Sequence, residues 1–167
     1  MTIDAKVIEE TRFSAGNAYC KAILCLLAYQ QPMSFDTSGM VILDNSHLKI
    51  AASPNYHHFF PKKYLEENQK GKEPNLIANI TLIDGYSNKH RIGQKLPSEY
   101  IGEFAKDNKT LPETLQTHLI KNIDDYGVNS DDYDAFIRRR AMVIAMALNV
   151  KLMSMTLMQA AEAEDGI

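Results

Sequence analysis

Residues 55–65 read NYHHFFPKKYL. Two adjacent histidines, His57 and His58, stand among aromatics and are followed by Pro61 and the pair Lys62 and Lys63. Neighbouring positions on a regular strand face opposite ways, so both imidazoles reach one centre only where the strand ends or twists. Pro61 gives the strand a reason to end there. Taken alone, a histidine pair among aromatics reads as ordinary core. Its reading as chemistry depends on Asn79, which closes IAN, and on Asn88 in SNK.

Outward from this stretch the pattern is that of one globular domain over residues 1–167. The chain is 45% hydrophobic and 23% charged, enough apolar material for a real core. The formal charge of −3 excludes a globally basic nucleic-acid binder and leaves only local patches. One such patch exists: residues 57–96 carry seven lysines and arginines against four acidic residues. The two cysteines, Cys20 and Cys25, have no CxxC or Cys/His companion and read as reduced thiols in a cytoplasmic protein. The N-terminus lacks the basic and apolar regions of a signal peptide, and no run of eighteen apolar residues is read, so the expectation is a chain that is neither secreted nor membrane-spanning.

The expected elements fall into four parts. Residues 12–53 hold a helix over 13–31, ended by Pro32, and a strand pair formed by GMVILD (39–44) and LKIAA (48–52). Residues 54–96 hold the histidines, a polar loop at 67–75 and a strand in LIANITLID (76–84). Residues 97–150 are helical. A stripe of Tyr100, Ile101 and Phe104 follows Pro97, and a capping box from Thr110 to Glu113 opens a helix to about Ile123. A long helix then starts under a Ser130 cap with Phe136, Ile137, Ala141, Ile144, Ala145 and Leu148 on one face and a surface pair between Asp134 and Arg138. The tail, 151–167, is expected to fray from QAAEAEDGI onward. The run Arg138, Arg139 and Arg140 fans around its helix and reads as a solvated face. His47 and His118 read as surface residues and His90 is left unassigned. Five C-terminal methionines, from Met142 to Met158, read as core or as a surface for a partner helix.

Metal-assisted phosphodiester hydrolysis needs a base for water, ligands that leave a cation open to the phosphate, and a group that orients the base. Imidazole, with an ordinary pKa near 6.5, and an amide oxygen suit those roles. The series HHFFPKKYL, IANITLID, SNKHRIG and KLPSEYI resembles, in order and spacing, the HNH or ββα-metal (His-Me finger) nuclease motif. The likeness is greater to the C-terminal nuclease domain of GmrSD-like restriction proteins, and it covers roughly residues 12–149.

The resemblance implies an α+β fold, with a ββα-metal core framed by an N-terminal helix and C-terminal helices. It implies His58 as general base, His57 and Asn88 as metal ligands, and Asn79 as the residue that orients the loop or the base. It further implies Lys62, Lys63, Lys89, Arg91 and Lys95 on phosphates, cleavage of foreign or modified DNA, and a partner NTP-hydrolysing, ParB-like domain. Many relatives carry Asp where this chain has His57, so the ligand set here is neutral. Mn²⁺ or Mg²⁺ is the implied ion, with Zn²⁺ or Ni²⁺ as alternative occupants, and imidazole favours Mn²⁺ over Mg²⁺. The competing expectation is a non-catalytic DNA-binding or interaction module on the same scaffold.

Overall fold

The computed structural model describes residues 2–14, 16–41 and 56–165, with side chains as far as 159. The fold is α+β, mostly helical, with a two-stranded antiparallel sheet. Helix α1 (Ala5–Glu10) is capped by Asp4, whose carboxylate accepts the Lys6 N–H. It lies along the long last helix, and the Asn149 side chain seals the contact by bonding both the N–H and the carbonyl of Ile3. Helix α2 (Ala18–Tyr29) starts five residues later than the apolar pattern predicts, because Asn17 caps it through the Cys20 N–H. Its buried face carries Cys20, Ile23, Leu24, Leu26 and Leu27, and it stops just before Gln31, which has φ 53°. Cys25 is exposed, so the two thiols do face apart. The strand pair expected at 39–52 falls almost wholly outside the described residues, as does His47. Of it, only an isolated bridge between Met33 and Met40 is described.

The sheet pairs β1 (Tyr56–His58) with β2 (Ile80–Leu82), placing His57 opposite Thr81 and His58 opposite Ile80. Between them Pro61 opens helix α3 (Lys62–Asn68), an element the polar sequence conceals, and its only buried residue is Leu65. The strand expected over 76–84 shrinks to three residues because Ile77–Asn79 coil into a 3₁₀ turn. After β2, residues Ser87–Ile92 form one π-helical turn, closed by Gly93 at φ 58°. Helix α4 (Pro97–Asp107) buries Tyr100, Ile101 and Phe104 as its periodicity predicts.

Helix α5 (Leu111–Gln116) departs from expectation at both ends. Thr110 makes no cap hydrogen bond to the helix; its N–H and hydroxyl are taken by the Asn108 carboxamide. The helix ends before Leu119, which has φ 61°.

Helix α6 (Tyr133–Asp165) continues into the segment expected to fray, as far as Asp165, the last described residue. Asp132, not Ser130, caps it by accepting the Ala135 N–H, while Asp131 is turned to the N–H and hydroxyl of Ser98. Asp134 pairs with Lys72 and not with Arg138. The stretch Tyr133–Gln159 has the length and hydropathy to cross a membrane, which the sequence reading did not register. Its first half nevertheless forms the spine of the core.

The core also corrects two surface assignments. Arg140 is fully buried: its Nη1 donates to the carbonyls of Ala78 and Ile80 at 2.8 and 2.7 Å, and Nη2 donates to that of His118 at 3.3 Å. His118 is likewise buried, donating from Nε2 to the Met33 carbonyl and accepting the Thr81 hydroxyl at Nδ1. Arg140 lies on the same face as Phe136, Ile137, Ala141 and Ile144, so helical periodicity carried it inward although the run RRR suggested water. Burial lowers its pKa to about 10, and it stays charged at neutral pH. Replacing Arg140 by Met leaves three carbonyls without their donor. The expected loss is about 3 kcal/mol or more in urea unfolding. Arg140→Lys should recover only part of it, since an ammonium cannot fork between carbonyls.

Candidate functional site

Strand alternation decides how the two histidines are used. His57 turns to the face it shares with Thr81, is 3% exposed, and meets the Tyr100 ring edge-on at 5.9 Å. Its Nδ1 lies 3.1 Å from the Asn88 Oδ1. The Asn88 amide nitrogen is directed to the Tyr56 carbonyl at 3.5 Å, so its oxygen accepts from the imidazole. That orientation puts the proton on Nδ1 and leaves the Nε2 lone pair buried without a hydrogen-bond partner among the described residues. Burial drives the His57 pKa down to about 3, against the opposing pull of the Asn88 bond.

His58 takes the other side of β1. It is half-buried, and its Nε2 lies 2.9 Å from the Asn75 Oδ1. With Nε2–H donated to that oxygen, Nδ1 carries the basic lone pair. Burial again lowers the pKa, partly offset by Asn75 and assisted by the nearby Lys62 charge. His58 is thus neutral at pH 7, the form in which an imidazole accepts a proton. Nothing in the sequence pattern singled out Asn75, a loop residue behind Pro74.

Asn79 is wholly buried and grips the loop that follows the histidines. Its Oδ1 accepts the Phe60 N–H, its Nδ2 donates to the carbonyls of Phe60 and Pro74, and its own carbonyl accepts the Phe59 N–H. Tyr100 adds a hydroxyl bond to the Phe59 carbonyl at 2.8 Å. The backbone leaving β1 is therefore held from two directions.

Asn88 occupies the second position of the π-helical turn, and the start of that turn is fixed by Asp84. The Asp84 carboxylate accepts from the Ser87 N–H and the Ser34 hydroxyl. Burial pushes its pKa up, but these hydrogen bonds outweigh it and the net shift is downward.

The structure thus brings His57 and Asn88 together, sets Asn79 behind them in the loop, and separates His58 onto the opposite face. Among the described residues no three His, Cys, Asp or Glu side chains cluster as a metal site. The pair His57 and Asn88 supplies one imidazole and one amide oxygen, and a cation between them would have to replace the hydrogen bond that now joins them.

The local basic patch is largely paired. Lys62 and Lys63 face Glu66 and Glu67 one turn along α3, in exposed pairs that a phosphate can displace. Arg91 bridges Asp36 and Asp107 over the Phe104 ring, and Lys95 binds Glu103. Lys89 is exposed with no ion pair among the described residues, and His90 stacks beside Tyr86. Comparison of the chain with family models, curated proteins and solved structures returns no significant match.

Two buried neutral histidines make stability depend on pH. His118 is held at about 4 by burial and His57 at about 3, both below the ordinary 6.5. The unfolded chain therefore binds protons that the fold refuses. Stability is full above pH 6.5 and falls as the pH drops from there toward 4. Denaturation midpoints measured between pH 7 and 5 should show this decline. His118→Gln should remove about one proton from the slope.

Proposed function

We propose that this chain is a metal-dependent nuclease that hydrolyses DNA phosphodiester bonds, with β1, β2 and the π-helical turn serving as its ββα unit. The supporting observation is that the fold brings His57 and Asn88, 31 residues apart in the chain, into direct contact across that unit, Nδ1 to Oδ1 at 3.1 Å. His57 and Asn88 would hold the ion with the imidazole in its other neutral tautomer, the proton moved from Nδ1 to Nε2. A bound divalent cation supplies Lewis-acid stabilisation of the charge that develops on the phosphate and the leaving oxygen.

In this reading His58 takes a proton from water at Nδ1, and Asn75 holds its ring in the required tautomer. Asn79 is a positioning residue that fixes the loop after His58. Lys62, Lys63 and Lys89 neutralise phosphates along the strand without reading bases. The resemblance further supports a role against foreign or modified DNA, alongside an NTP-hydrolysing ParB-like domain or subunit.

A second reading has its own observation. His57 is only 3% exposed, and His58 points the other way along β1, so the histidine and amide pair also serves as a buried clip between strand and turn. On that reading the scaffold binds DNA or another partner without cutting.

Plasmid nicking under Mn²⁺ and Mg²⁺ titration separates the two. The nuclease should cut better in Mn²⁺, His58→Ala should slow cutting roughly a hundredfold or more at unchanged metal affinity, and His57→Ala should raise the Mn²⁺ concentration required. DNA binding without cleavage by the unaltered protein at any metal concentration rejects the nuclease and favours the module.

A further inference from the structure

The π-helical turn that brings Asn88 to His57 shows three of its side chains to solvent. Tyr86, at its head, is 66% exposed. The His90 ring lies against it, with centroids 4.9 Å apart and planes inclined by 35°. Lys89 stands between them in sequence, exposed and without an ion pair among the described residues. A lone surface tyrosine is ordinary. This one has a ring partner and also borders an opening.

The opening is a cavity of about 350 Å³ that Tyr86 shares with Met40, Ser34, Asp36 and Asp84. Met40 is 70% exposed, so an aromatic ring and a thioether both face water there. The polar part of the lining is made of oxygens. Asp36 Oδ1 accepts from Arg91, and the Asp84 carboxylate accepts from the Ser87 N–H and the Ser34 hydroxyl. These bonds fix both carboxylates in place and, for Asp84, favour the charged form. A carboxylate has about four acceptor sites, so each can take a further donor.

Resting on the reading of this chain as a protein that acts on DNA, we infer that the turn binds an unpaired nucleobase bearing an exocyclic amino group, such as cytosine. The base stacks on Tyr86 within the cavity, the Asp36 and Asp84 carboxylates accept its amino group, and Lys89 meets its phosphate.

Each part of that ligand answers to one feature of the turn. Stacking on an aromatic side chain suits every base, because every base has a π-face. A duplex keeps those faces covered by neighbouring bases, so the strand has to be unpaired. The carboxylates supply the discrimination. The N4 amino group of cytosine is a donor, whereas O4 of thymine at the same place is an acceptor and is repelled. Two carboxylates also keep the phosphate chain out of the cavity, and Lys89 is placed to neutralise it outside.

The platform is tied to the proposed cutting site through the backbone. Tyr86 and Asn88 are two residues apart, and the Asn88 N–H bonds the Asp84 carbonyl. A base seated on Tyr86 therefore has a fixed place relative to His57 and Asn88. The substrate this arrangement takes is an unpaired stretch of DNA, not an intact duplex.

Fluorescence anisotropy of short labelled oligonucleotides on the full chain, with EDTA present so that nothing is cut, tests the inference. Single-stranded oligodeoxycytidylate should bind more tightly than oligothymidylate of equal length, and more tightly than a duplex, a comparison that needs no variant. Tyr86→Ala should weaken oligodeoxycytidylate binding about tenfold or more, at unchanged far-UV circular dichroism. Tyr86→Phe keeps the ring and should bind as the unaltered protein does. Lys89→Ala should lower the slope of log affinity against log salt by about 0.7. Failure to bind the single strand overturns the inference, as does a duplex bound equally well, indifference between cytosine and thymine, or a Tyr86→Ala variant of full affinity. Plasmid nicking is read separately. Tyr86-dependent binding without cleavage supports the platform and sinks only the nuclease, while cleavage with Tyr86-independent binding sinks only the platform.

Discussion

The fold turns on a cation placed where water cannot reach. Arg140 enters the core from α6 and meets backbone carbonyls instead of a carboxylate. Each carbonyl belongs to a short element of three residues or to a turn. Ala78 is in the 3₁₀ turn, Ile80 begins β2, and His118 lies in the tight turn after α5. A three-residue strand paired with one other three-residue strand is not self-supporting. The guanidinium ties that strand to the long helix, with the fork geometry that lets one side chain satisfy several acceptors. Burial of the charge is offset by oriented dipoles, and loss of the side chain would strand them all together.

From this anchor the site geometry follows. With β2 fixed against α6, the register puts Thr81 on the inner face, where its hydroxyl bonds His118 and its cross-strand neighbour is His57. His57 is buried for that reason. Its pKa near 3 reflects the same burial, so the group most deeply placed is a permanently neutral donor at physiological pH. His58, one residue on, is pushed outward by the pleat and keeps an accessible, neutral imidazole. The pleat thus gives the two rings different surroundings: one buried against the π-helical turn, the other half-buried beside Asn75.

Much of this was legible in the sequence where local signals were strong. The stripe of Tyr100, Ile101 and Phe104, the stop before Pro32, and the inward face of α6 all follow from apolar periodicity, and all are present. Asn79 and Asn88 stand out through their order after the histidine pair, and each occupies a structured position beside them. What was not legible depended on tertiary partners. Thr110 has the spacing of a cap, but the Asn108 carboxamide takes its N–H and hydroxyl. His118 carries no local mark of burial; its place follows from Thr81 and Met33, residues far along the chain. The run Arg138 to Arg140 fans around its helix, and the solvated reading holds for Arg138 and Arg139 but not for Arg140. Its helical phase, with Phe136 before it and Ile144 after it, placed it inward all along.

Helix α6 therefore carries two different demands along one axis. Up to about Leu148 its inner face is occupied by the sheet turn, α1 and Arg140, and a substitution there acts on folding. From Met153 to Gln159 the side chains are exposed and make almost no contact with their own domain. The helix crosses this boundary without a break. The two demands thus meet inside one continuous helix, with no glycine or proline between Arg140 and Asp165.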